Sequence, residues 1–182
     1  MRLAPPPALD FSNPEAIARR LLGARLVHLD GGVRRAGRIV ETEAYLGPRD
    51  LACHSSKGRT ARTEVMFGPP LTAYVFLVYG MHHCFNVVTG GGAAVLVRAL
   101  EPLEGLAHRT DGPGRLTRAL RLTRAHDGLA LWQAPLWLEW SEPLPARQVA
   151  RGPRVGVHYA GAWAKRRLRF WEKRNEWVSA VD

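Results

Sequence analysis

Strand-like segments separated by glycine turns constrain the fold of this chain more than any other feature. Two of the segments flank Asp30-Gly31-Gly32 and two flank Gly90-Gly91-Gly92, and glycine readily adopts the positive φ that tight hairpins require. The segments are rich in β-branched and aromatic residues, as strands are. They cover residues 25–29, 33–45, 71–78, 82–88 and 93–100. The pattern predicts two strand pairs arranged as an antiparallel meander.

Helices and shorter strands complete the predicted fold. Asn13 followed by Pro14 is typical of a helix N-terminus, and a second helix is expected to begin near Arg115, after the break at Gly112-Pro113-Gly114. Shorter strands are predicted at residues 136–140, 154–157 and 168–171. We therefore predict an α+β fold in which residues 1–182 form a single domain, with a curved, mostly antiparallel β-sheet and flanking helices.

The charge balance indicates a polyanionic partner. The chain has 26 Lys and Arg against 16 Asp and Glu, a formal net charge of +10 at pH 7, and such an excess is typical of proteins that bind nucleic acids. Most of the basic residues are arginines, which suit bidentate phosphate contacts, although a GC-rich genome would give the same preference. No segment has the apolar length of a membrane span or a signal peptide, so a cytoplasmic protein without a membrane partner is expected.

Glu43 and Tyr45 are the first candidate site residues. They are two positions apart on a predicted strand, so their side chains share one face. Tyr74 and Phe76 share a face of the next strand pair in the same way, and with His54 they could line a pocket for a flat aromatic ligand. Aromatic residues at alternating strand positions also form ordinary cross-strand pairs. For Tyr74 and Phe76, the residues alone favour that structural interpretation.

The segment Tyr79-Gly80-Met81 is an apolar turn on a basic protein. Hairpin tips are normally polar, whereas proteins that kink or flip nucleic acids insert apolar side chains between bases. A wide turn tucked into the core would explain the same residues. The residues themselves leave both interpretations open.

Metal and cofactor sites are not expected. Five residues have side chains of the kind that binds zinc: Cys53, His54, His82, His83 and Cys84. Adjacent strand residues face opposite sides of a sheet, however, and no Cys-x-x-Cys pair occurs. Gly90-Gly91-Gly92 lacks the lysine and the helix of a phosphate-binding loop.

Longer motifs resemble the alkyladenine (3-methyladenine) DNA glycosylase family, mammalian type. In chain order, the matching segments are GRIVETEAYLGPRDLACHS, YVFLVYGMHHCFNVV, VLVRALEPLEGL, RVGVHYAGAWAKRRLRFW and WVSAVD. They span nearly the whole chain. The resemblance implies a mixed α/β domain on a curved antiparallel sheet, with a β-hairpin that inserts into the minor groove of double-stranded DNA.

Positions that match the family's motifs imply roles for single residues. The general base that activates the attacking water falls on Glu43, and the arginine that helps to position this water falls on Arg98. The intercalating tyrosine falls on Tyr79, with Met81 beside it at the hairpin tip. The residues that hold the flipped base and exclude guanine fall on Tyr45, His54, Phe76 and Asn86.

Two positions depart from the mammalian pattern. Phe76 and His82 stand where that pattern has tyrosines. Phenylalanine keeps the stacking face and loses a hydroxyl group, and His82 changes the contacts expected near the hairpin.

The resemblance implies a monofunctional, monomeric DNA glycosylase that starts base excision repair. It would flip alkylated or deaminated purines out of the duplex and hydrolyse the N-glycosidic bond without a cofactor. 3-Methyladenine and 7-methylguanine are the implied substrates, with hypoxanthine and ethenoadenine as further candidates. Two alternatives stay open: a non-catalytic, basic nucleic-acid-binding module, which needs no carboxylate in its pocket, and a zinc hydrolase, which needs a metal.

Overall fold

A curved antiparallel sheet dominates the computed structural model, which describes residues 7–78 and 80–180. Its strands are β1 (Arg25–Asp30), β2 (Val33–Tyr45), β3 (Ala73–Val78), β4 (His82–Gly90), β5 (Ala93–Glu104), β6 (Trp132–Gln133), β7 (Leu136–Glu139), β8 (Val149–Gly152) and β9 (Arg169–Glu172). They follow the order β3-β4-β5-β2-β1-β7-β6, while β9 pairs with both β2 and β8. The predicted α+β fold and its meander are confirmed.

Two α-helices lie against the sheet, α1 over Pro14–Leu21 and α2 over Pro113–Leu120. The Asn13 side chain accepts a hydrogen bond from the Ala16 N–H at 3.1 Å, as an N-cap does. Shorter 3-10 helices cover His54–Lys57, Glu64–Phe67, Arg124–His126, Ala146–Gln148 and His158–Lys165. Within the described ranges, none of the helices is long and apolar enough to cross a membrane.

Two sequence predictions were wrong in detail. The second helix begins at Pro113 rather than near Arg115, because proline at the first helical position gives up an N–H that has no partner in the helix anyway. Residues 154–157 do not form a strand, and β8 lies earlier in the chain. The Val155 N–H donates instead to the Glu43 carboxylate, at 2.7 Å.

The two faces of the sheet serve different purposes. On one face, apolar residues of β3, β4 and β5 pack into the main core with the buried side of α1: they include Val75, Phe85, Val87, Val95 and Val97. The opposite face carries polar and aromatic residues. The site described below lies on this second face.

Candidate active site

A continuous row of opposed residues crosses five strands on the polar face. Cross-strand pairing sets Tyr74 opposite Asn86, Asn86 opposite Leu96, Leu96 opposite Glu43, and Glu43 opposite Arg169. Directly opposed residues of a sheet share a face. The antiparallel register therefore brings together residues that lie far apart in the sequence.

Glu43 is fully buried and hydrogen-bonded at both carboxylate oxygens. Its Oε1 accepts the Val155 N–H at 2.7 Å and lies 3.3 Å from Nη1 of Arg98. Its Oε2 accepts the Tyr45 hydroxyl at 2.8 Å. The predicted site residues Glu43, Tyr45 and Arg98 thus contact one another directly.

The environment of Glu43 makes it a stronger base than an exposed glutamate. Burial raises the pKa of its carboxyl group, and the positive charge of Arg98 opposes this effect. Burial together with the Glu43 carboxylate also raises the pKa of the Tyr45 hydroxyl well above its usual value. The tyrosine is therefore the hydrogen-bond donor in this pair.

One face of the Tyr45 ring is covered by Arg154. The guanidinium carbon of Arg154 lies 4.7 Å from the ring centroid, within the range of a cation–π contact. Asp50 holds Arg154 through two hydrogen bonds, one of them 2.9 Å long, and both side chains are fully buried. Tyr45 itself is partly exposed, and it also packs against two groups of buried residues.

His54, Tyr74 and Phe76 form an aromatic cluster. The ring centroids of His54 and Phe76 are 4.5 Å apart, and those of Tyr74 and Phe76 are 5.1 Å apart. His54 Nδ1 and the Tyr74 hydroxyl share a hydrogen bond of 2.9 Å. Tyr45 and Phe76 pack against the same small group of buried residues, which includes Tyr74. Tyr74 is thus core, as the sequence favoured, while Phe76 lies half-buried at the edge of the cluster.

His54 is neutral at physiological pH. Burial, followed by the positive charges of Arg62 and Lys57, lowers its pKa to about 4. The guanidinium carbon of Arg62 lies 5.1 Å from the Phe76 ring centroid. The cluster thus has a cationic side chain at its solvent side.

Asn86 lies beneath this cluster and is buried. Its Nδ2 donates to the Tyr74 carbonyl oxygen at 3.1 Å, which fixes the amide plane against the neighbouring strand. The opposed residue on β5 is Leu96, so Asn86 is a polar group in the middle of the row.

The tip of the β3–β4 pair projects into solvent. Met81 is 70% exposed, and Leu77 on the preceding strand is exposed as well. The Met81 side chain is therefore not part of the core. Tyr79, the residue predicted to intercalate, lies outside the described residues.

A groove of about 1130 Å³ runs between this tip and α2. Arg115, Arg118 and Arg121 line its α2 side, and Val78 and Met81 line its strand side. The groove also reaches Arg98, Ser179 and Cys84. Its walls therefore combine positive charge with apolar side chains, and its floor reaches the side chain that contacts Glu43.

No group of three or more His, Cys, Asp or Glu residues suitable for a metal ion occurs in residues 7–78 and 80–180. Cys53 and Cys84 are buried free thiols.

Comparison with known proteins identifies the family. Residues 10–176 match the family model described as methylpurine-DNA glycosylase (MPG). The chain belongs to this family. It is therefore a DNA glycosylase, a hydrolase of N-glycosyl bonds that acts on DNA, and the resemblance identified from its motifs is confirmed.

Three relatives of the glycosylase cover most of its length. A protein of Myxococcus xanthus (strain DK1622) is 61% identical over 168 residues, which are 90% of this chain and 87% of the relative. A protein of Anaeromyxobacter dehalogenans (strain 2CP-C) is 54% identical over 178 residues, which are 96% of this chain and 86% of the relative. A protein of Legionella pneumophila (strain Corby) is 49% identical over 166 residues, which are 90% of this chain and 91% of the relative. Each bears the name "Putative 3-methyladenine DNA glycosylase".

Sequence reasoning missed several residues of the glycosylase site. Glu41 lies two positions before Glu43 on β2 and contacts Arg98, so the period of two could have identified it. Arg154 and Ser179 reach the site from loops distant in the sequence; both lie in segments that match the family motifs, which gave the only signal that could have found them.

Proposed function

We propose that this chain is a monofunctional DNA glycosylase that flips alkylated or deaminated purines out of double-stranded DNA and releases them with an activated water. 3-Methyladenine and 7-methylguanine are the principal proposed substrates, with hypoxanthine and ethenoadenine as further candidates. The names of the three relatives support the first of these. The observation that carries the mechanism is the buried Glu43 carboxylate in contact with Tyr45 and Arg98.

Glu43 is proposed as the general base. A carboxylate offers about four lone-pair positions, and Val155, Arg98 and Tyr45 engage three of those of Glu43. The remaining position is free to accept a proton from water. Because the Glu43 side chain is fully buried, water reaches it only when a neighbouring side chain moves.

The aromatic residues are proposed to hold the flipped base. Stacking of a base on an aromatic side chain is worth roughly 1–3 kcal/mol, and the partly exposed rings of Tyr45 and Phe76 offer such surfaces. An alkylated purine that carries a positive charge is already a good leaving group. The enzyme then needs chiefly a positioned water, a base and the exclusion of solvent.

The groove between the β3–β4 tip and α2 is proposed to bind the DNA strand that carries the lesion. Its arginines suit phosphate oxygens, and its apolar tip suits insertion between bases.

We further propose that the protein acts as a monomer, since all the proposed catalytic groups come from one chain. DNA binding should weaken steeply as the salt concentration rises. A chelator should change neither DNA binding nor base release. Loss of base release in chelator, with recovery when zinc is added, would contradict a metal-independent mechanism.

The decisive variant is Glu43→Gln. Glutamine keeps the size of the side chain and an accepting oxygen, but it cannot take a proton from water. We expect lesion binding to stay within a few-fold of the parent and the single-turnover rate of base release to fall by at least about 10²–10⁴, the range that general bases contribute. Duplexes carrying one defined lesion serve as substrates.

Glu101→Gln is the matched control. Glu101 lies on β5 outside the site and bonds Arg38 and Asn175, so this change should leave both binding and base release unaltered. Base release at the parent rate by Glu43→Gln would remove Glu43 from the mechanism. A binding module would instead show no base release in either protein and tighter DNA binding once the charge of Glu43 is removed.

A further inference from the structure

A second buried carboxylate, Glu41, lies beside Glu43. Its Oε1 accepts hydrogen bonds from Nε of Arg98 at 2.9 Å and from Nε of Arg169 at 2.6 Å. Its Oε2 accepts the Ser179 N–H at 2.8 Å, and the Ser179 hydroxyl donates to Oε1 at 3.0 Å. Glu41 is fully buried, and its carboxylate thus receives hydrogen bonds from three separate elements of the chain.

Glu41 binds the Nε of the Arg98 guanidinium group, and Nη1 of the same group faces Glu43. Nε of Arg98 donates to Glu41, Nη1 lies 3.3 Å from Glu43, and Nη2 donates to the Ser179 hydroxyl at 3.4 Å. A guanidinium group is planar and rigid. Fixing Nε and Nη2 therefore fixes the direction in which Nη1 points.

We propose that Glu41, together with Arg169 and Ser179, is a positioning residue that holds Arg98 in a fixed place against Glu43. The proposal rests on the proposed role of Glu43 as the general base. Glu41 has no direct role in the chemistry: it acts through Arg98. Its carboxylate competes with Glu43 for the same cation, so that Arg98 orients the Glu43 carboxylate without neutralising it.

Stability alone does not explain this cluster. Buried ion pairs are often replaceable by apolar residues of similar volume without loss of stability. The arrangement of Glu41 instead matches what catalysis requires, because a displacement of about 1 Å in an active site can cost a factor of roughly 10² in rate. Arg98 is the shared partner through which such a displacement would reach Glu43.

The cluster also affects the basicity of Glu43. The ionisable groups around Glu43 are Glu41 and Tyr45 on β2, Arg98 on β5, Arg169 on β9, Cys84 on β4 and Arg154 after β8. The negative charge of Glu41 raises the pKa of Glu43. Removing this charge therefore lowers the pKa of Glu43 and moves the loss of activity in acid to lower pH.

The test is Glu41→Gln, measured by single-turnover base release across pH and by lesion affinity. We expect lesion affinity close to that of the parent, a rate loss of about 10- to 100-fold at neutral pH, and an acid limb shifted to lower pH. Glu172→Gln is the control, because Glu172 bonds Arg38 on β2 and Asn175 in the loop after β9 rather than Arg98. It should match the parent in all three measurements.

Ser179→Ala keeps both charges and tests the same idea if Glu41→Gln fails to fold. Loss of the hydroxyl frees Nη2 of Arg98, and we expect slower base release at unchanged lesion affinity. A parent-like rate in this variant, or an unshifted acid limb in a folded Glu41→Gln protein, overturns the positioning role. Glu43→Gln is run in parallel: base release by that variant rejects the general base itself, whereas its inactivity beside a parent-like Glu41→Gln rejects only the positioning.

Discussion

The two ends of the site differ in how firmly their side chains are held. The ionic end comprises Glu41, Glu43, Arg98 and Arg169, all buried and joined by hydrogen bonds and ion pairs. The aromatic end comprises His54, Phe76 and the neighbouring Arg62, which are half-buried or exposed and held mainly by ring contacts. The end proposed for chemistry is thus fixed before substrate arrives, while the end proposed for recognition keeps freedom to adapt.

This difference follows from what each task requires. Groups that stabilise a transition state are most effective when they need no reorganisation during the reaction. A pocket that accepts several modified purines has to tolerate different substituents, and partly exposed rings with few hydrogen bonds can move at little cost. The following four predictions test the contrast, from the largest expected effect to the smallest.

Arg98→Met should cost far more stability than a change at the aromatic end. It leaves Glu41 and Glu43 buried side by side without their shared cation, and removing one partner of a buried ion cluster costs about 3–5 kcal/mol. His54→Ala removes one hydrogen bond to Tyr74 and one ring contact with Phe76, each worth about 1 kcal/mol. Urea unfolding gives the free energy of unfolding of both variants. Equal losses of stability would contradict the difference between the ionic and the aromatic end.

Tyr79→Ala should affect recognition without affecting chemistry. If the tyrosine replaces lost base stacking, its removal should weaken binding to a lesion in duplex DNA about 10- to 100-fold. Binding to the same lesion in single-stranded DNA should change little, since no stack has to be opened. Titration of both DNAs checks this, and an equal loss on both would assign Tyr79 to the core.

Asn86→Ser should broaden the range of bases released. A minor-groove side chain that faces the 2-position of a purine collides with the amino group of guanine and spares adenine. Shortening it should raise release of guanine-type bases relative to adenine-type bases by roughly tenfold or less. Parallel single-turnover assays give this ratio, and an unchanged ratio would remove Asn86 from the site.

Arg62→Ala should produce the smallest effect, a change in the titration of His54. The Arg62 charge disfavours the protonated imidazole, so its loss raises the pKa of His54 above about 4. Burial is the larger cause and persists, so the pKa should stay below the value of about 6.5 for an unperturbed histidine. An NMR titration of the imidazole protons measures this, and a pKa that falls or stays unchanged would exclude the influence of Arg62.

The sheet could be predicted from the sequence because its signals are local. Alternation with a period of two and glycine pairs at turns depend on neighbouring residues alone, and β1 to β5 appear close to their predicted bounds. The helix α2 begins before its predicted start, because Pro113 is its first helical residue rather than a break. Residues 154–157 alternate like a strand, yet Val155 donates its N–H to a side chain instead.

The ionic end could be predicted only in part. Glu43 and Arg98 followed from the family motifs, but the bond between Glu41 and the Ser179 N–H joins parts of the chain whose proximity depends on the pairing of β2 with β9. Burial likewise depends on the finished packing. The raised pKa of Glu43 therefore could not be inferred from its neighbours in the sequence.

The ionic end joins residues that are widely separated along the chain. Ser179 bonds Glu41 across 138 positions, and Val155 bonds Glu43 across 112. Contacts of such range form slowly during folding, because a long loop has to close before the contact contributes anything. Until these long-range contacts form, the carboxylates and arginines of the ionic end are still apart. On the proposed mechanism, cleavage of the glycosidic bond is therefore confined to molecules that have folded completely.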